Sequence, residues 1–187
     1  YSEFFYEPSL AYTYTRTKTL RGTVYRIFVN NKDTELAEYL YLHECGHIIF
    51  GHAKDMDLRM DRFLLVKISI AYKQIAHYFP NFQEYMNTFK NLVFNIVMDF
   101  EVNSRLFSPE EWNFMNEKLS AFMGKDIKGM WPQDYGYMPG LTWNEYLTQI
   151  LLNPKHFMKY FYEYLKQQTG ENESEIWHMN NYRQQEY

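Results

Sequence analysis

His43, Glu44 and His47 form an H-E-x-x-H triplet inside YLHECGHIIFGHAKD, residues 41–55, an otherwise apolar run that also holds the chain's single cysteine. On a helix, residues four apart share one side and lie about 6 Å apart along the axis, so two imidazoles can converge on one zinc ion. Glu44, one position on and turned by about 100°, can hold a water beside the ion without ligating it. Three residues thus supply two ligands and a base. Gly46 removes a side chain beside the ligands, where another element or a substrate can come close.

A catalytic zinc needs a third protein ligand and an open position for water. The best source is NIVMDFEVN, residues 95–103, in which Asn95, Asp99 and Asn103 make a polar stripe at every fourth position of an apolar helix. An ionised Asp there is costly unless it is paired or binds metal, so Asp99 is the preferred ligand, with Asn95 or Asn103 orienting a ligand from behind. Glu101, nearly on the opposite side of that helix, is the reserve. The ordinary alternative makes His43 and His47 half-buried, hydrogen-bonded helix residues, leaves Glu44 on a solvated face, and has Asp99 held by Arg105 or a tyrosine hydroxyl. His52, just past Gly51, reads as a helix-end residue that meets terminal carbonyls. Cys45 is rotated away from both imidazoles and reads as an inert small hydrophobe. Tyr135, Tyr137 and His156 are available donors for a developing oxyanion, but spacing does not choose among them.

These residues require particular elements to position them. Asp33 is suited to cap a helix from Thr34 to Gly51, on which Leu36, Leu40, His43 and His47 share a face. DRFLLVKISIAYKQIAHYF, ending before Pro80, predicts a second helix, and residues 82–107 a third, apolar nearly all round between Leu92 and Val102 and therefore buried. SPEE (108–111) and TWNE (142–145) are capping boxes that start two more helices. Between them lies a Gly- and Pro-containing loop, residues 123–140, whose length hints at function or mobility. Thr13–Thr19 and Gly22–Asn31 read as a small N-terminal β-hairpin or edge sheet. The expected fold is mainly α (α+β), with a single domain over residues 1–170 and a polar tail over 171–187.

Composition narrows the function classes. A chain of 187 residues with 46% apolar and 22% charged residues suits one globular core, and its 18 Tyr and 15 Phe predict a core of large rings whose hydroxyls need partners. A net charge of −4 gives no electrostatic footprint for nucleic acid. No apolar run suits a membrane span, and one cysteine forms no internal disulfide, so the expected setting is cytoplasmic. The first residue is Tyr1, not Met, which leaves room for further domains of a longer native chain.

HECGHIIFGH, followed by NIVMDFEVN and then MPGLTWNEYLTQIL, resembles a zincin and is similar to the metallopeptidase domain found beside von Willebrand A-like domains. The similarity runs from Leu36 to Leu152 with gaps. It implies a zincin-like helical domain, zinc held by His43, His47 and Asp99, Glu44 as catalytic residue, and a protein or peptide substrate. HECGHIIFGH also resembles repressor-cleaving peptidases of the ImmA/IrrE type, whose third ligand is a Glu four residues before an Asn; here the shorter Asp99 stands four residues before Asn103. A metzincin would need glycine and histidine where Phe50 and Ala53 stand. The function expected is therefore a zinc-dependent metallopeptidase with Glu44 as general base. Its rival is a catalytically silent zincin-like interaction module.

Overall fold

A computed structural model of the chain describes residues 13–19, 22–28, 34–52, 62–124 and 129–169. Asp33, residues 29–31 of the expected second strand and the tail over 171–187 lie outside them. The fold is mainly α, as expected. Strand β1 (Thr13–Thr19) pairs antiparallel with β2 (Gly22–Phe28), from Thr13 opposite Phe28 to Thr19 opposite Gly22, and β2 lies beside helix α1 (Thr34–Ile49).

The remaining helices are α2 (Arg62–Ile75), α3 (Phe82–Thr88), α4 (Phe94–Leu106), α5 (Pro109–Met123), α6 (Trp143–Leu152) and α7 (Pro154–Thr169). The third expected helix proves to be α3 and α4 joined through a π-helical turn, Phe89–Val93. Asn81 caps α3 by accepting from the Glu84 N–H. Both sequence capping boxes form: Ser108 with Glu111 starts α5, and Thr142 with Glu145 starts α6, each satisfying backbone N–H groups that a helix start leaves without partners. Helix α7 follows directly on α6, opening on Pro154, and was not marked by any such box.

Helix α4 is the central element and packs against both α1 and α6. Its Phe94, Ile96, Val97 and Phe100 are fully buried in a cluster with residues of α2, α6 and α7. A smaller cluster joins Leu36 and Leu40 of α1 to Phe107 and to Trp112 of α5, whose ring stacks on Trp131. Two core hydroxyls meet backbone carbonyls: Tyr85 donates to that of Ile68 and Tyr146 to that of Met138, whereas the buried Tyr137 hydroxyl has no hydrogen-bond partner among the described residues. Among the described residues, no helix is long and apolar enough to cross a membrane.

Gly46 sets the distance between α1 and α4. A methyl group at this position would lie 2.7 Å from both Val102 Cγ1 and Leu106 Cδ1, well inside van der Waals contact. The element that approaches Gly46 is thus α4 itself. Gly46→Ala is expected to destabilise the fold by about 1–3 kcal/mol through overpacking, even though alanine favours the helix locally. Urea denaturation checks this; an unchanged or higher midpoint would contradict a close helix contact.

Candidate metal centre

Close packing at Gly46 carries one turn of α1 against one turn of α4. His43 and His47 present their Nε2 atoms 3.1 Å apart, and Asp99 Oδ1 lies 3.6 Å from the first and 3.1 Å from the second. The three residues form a group that could hold a metal ion. Ligands at zinc–nitrogen and zinc–oxygen distances make a tetrahedron with edges of about 3.3 Å, so these donors match one face of it. Asp99, with 29% of its side chain exposed, is the member of the group nearest solvent, while the side chains of His43 and His47 are 8% and 13% exposed.

Hydrogen bonds behind the histidines decide which nitrogen faces the cluster. Asn103 donates its Nδ2 hydrogen to the Met130 carbonyl at 2.6 Å, which turns its Oδ1 toward His43 Nδ1, 2.7 Å away. That oxygen can only accept, so His43 carries its hydrogen on Nδ1 and aims the Nε2 lone pair at the cluster. Asn103 therefore plays the orienting role, whereas Asn95 is exposed. The His43 lone pair and the Asp99 carboxylate then converge, a disposition that a cation relieves.

Without a metal, a proton offers partial relief. Burial opposes charge on His43, but the hydrogen bond and charge of Asp99 outweigh it and raise the imidazole above its ordinary value of 6.5. His47 moves the other way, because burial dominates. Burial would raise the Asp99 carboxyl too, yet the two imidazoles beside it hold it well below the usual carboxylate range. Glu44 is 5% exposed rather than solvated. Burial raises its pKa, the His43 charge opposes this, and the Asp99 charge adds to it.

Other sequence candidates fall elsewhere. Glu101, the reserve ligand, is turned away from the cluster: it accepts from His52 Nε2 at 3.1 Å, from the Trp143 backbone N–H at 2.9 Å, and from Arg105. Arg105 thus serves Glu101 and not Asp99. His52 is not a cap on terminal carbonyls; its Nδ1 lies 2.9 Å from His47 Nδ1. Gly51, at φ +81°, bends the backbone at the end of α1, just before His52. Tyr135, Tyr137 and His156 gather around one another and Phe100 instead of joining the cluster. The Tyr135 hydroxyl donates to Met130 Sδ, and His156 Nε2 to the Tyr135 carbonyl. Cys45 is a half-buried free thiol.

No family model, curated protein or solved structure matches the chain. Metal uptake must displace the proton that His43 retains, and the raised pKa moves this competition to higher pH than for a free histidine. Apparent metal affinity is therefore expected to rise with pH through the His43 titration and level off above it. Competition with a chelating dye across that range is the measurement, and a flat profile would contradict ligation by His43.

Proposed function

We propose that the chain is a zinc-dependent metallopeptidase of the zincin kind, with His43, His47 and Asp99 as ligands and Glu44 as general base. The observation that supports it most is the tetrahedral spacing of three donors beside a buried glutamate on the same helix turn. Two nitrogens and one carboxylate suit zinc better than magnesium or calcium, which favour oxygen alone. Zinc held this way would polarise a carbonyl oxygen and acidify a water, and the net positive charge of the site would stabilise negative charge.

The protein's own groups handle the proton. Glu44 follows His43 in the helix, is buried, and has a carboxyl whose affinity for protons is raised. It can take a proton from the attacking water and release it to the departing amine, since a base is most useful when its pKa lies nearer the working pH. His43 and His47 would hold the ion through their Nε2 lone pairs, and Asp99 would add negative charge to it. The partly exposed flank at Asp99 is where a peptide would enter.

Glu44→Gln separates catalysis from metal binding. The variant is expected to retain zinc, measured by elemental analysis after dialysis, and to lose peptide-cleaving activity by about 10²–10⁴-fold against a mixed peptide library. Wild-type protein that holds zinc but cleaves nothing would favour the silent interaction module, which should keep partner binding with Glu44 replaced. Zinc uptake that survives Asp99→Ala undiminished would remove the third ligand from this assignment.

A further inference from the structure

We propose that His52 and Glu101 are positioning residues for His47, forming a carboxylate–imidazole–imidazole relay that fixes which nitrogen His47 offers. The inference rests on the metal reading above. Glu101 Oε2 already accepts from the Trp143 backbone N–H and Oε1 from Arg105, groups that can only donate. His52 Nε2, 3.1 Å from Oε2, must therefore bring its hydrogen there. That leaves a lone pair on His52 Nδ1, and His47 Nδ1, 2.9 Å away, must carry a hydrogen to meet it. The Nε2 lone pair of His47 is then left facing His43 and Asp99.

Burial makes the direction of this chain stringent. The side chains of His52 and Glu101 are 1% and 4% exposed, so reversing one proton would leave buried groups facing each other without a hydrogen between them. The arrangement has a counterpart at the other ligand, where Asn103 holds His43 and is itself held by the Met130 carbonyl. Both chains end on the backbone of one segment, at Met130 and at Trp143. Docking of that segment on α4 thereby sets the donor atoms of both histidines, which assigns a purpose to the long loop before α6.

Histidine ring ¹⁵N spectra of the metal-free wild type, taken where the imidazoles are neutral, test the relay directly. Hydrogens are expected on Nδ1 of His43 and His47 and on Nε2 of His52. His52→Leu is expected to weaken zinc binding by about 10–100-fold, and His52→Gln, whose amide can accept from His47 and donate to Glu101, to recover most of that loss. Glutamine recovery separates a directional hydrogen bond from mere filling of space. A hydrogen on His47 Nε2 or His52 Nδ1, or full affinity in His52→Leu, would overturn the relay while leaving zinc binding intact. Absence of zinc uptake by the wild type would instead overturn the metal reading and the relay's role with it. Should His52→Leu fail to fold, the wild-type spectra still decide.

Discussion

Two helices can share a metal only if their backbones come close enough for short side chains to meet, and in this chain that closeness depends on the missing side chain of Gly46. With Val102 and Leu106 pressed against it, α1 runs beside α4 at a separation that leaves the Asp99 carboxylate touching both imidazoles. A longer acid would suit a wider gap. The short Asp99 and the bare Gly46 are therefore matched features of one contact.

Placing five polar side chains inside an aromatic core carries a large desolvation cost, which for four of them is met by hydrogen-bond partners. His43, Glu44, His52, Glu101 and Asn103 are all buried, and four of them lie in hydrogen-bond chains that pass through the site. Glu44 is the exception, held by charge and proximity instead. In such an environment an acid tends to stay protonated to higher pH. Glu44 and Glu101 differ in their partners: the second is saturated with donors and stays a fixed acceptor.

Residues related by helical period were readable from the sequence. The His43–His47 face, the buried character of the helix around Asp99, the capping boxes at Ser108 and Thr142 and the first hairpin all follow from local spacing, and the structure has each of them. Contacts that depend on distant partners were not. His52 bonds a residue 49 positions away, and it does so because Gly51 turns the backbone into a left-handed conformation that no neighbouring residue announces. Glu101 lost its place as a possible ligand for the same reason, since its partner Trp143 lies at the start of α6. Helix α7 lacks a capping box, so its entry at Pro154 was less visible than the others.

The π-helical turn at Phe89–Val93 has a consequence for the whole long helix. A turn closed by i→i+5 bonds accommodates an additional residue, so everything beyond it is rotated by about 100° relative to an uninterrupted α-helix. Upstream, Tyr85 is anchored in the core by its bond to Ile68; downstream, Asp99 must look toward α1. The irregular turn acts as a phase shifter between these two demands. Trimming one residue from it would make a more regular rod, yet would swing the carboxylate off the histidines, so local helical order and the three-residue cluster are in direct opposition along this one stretch.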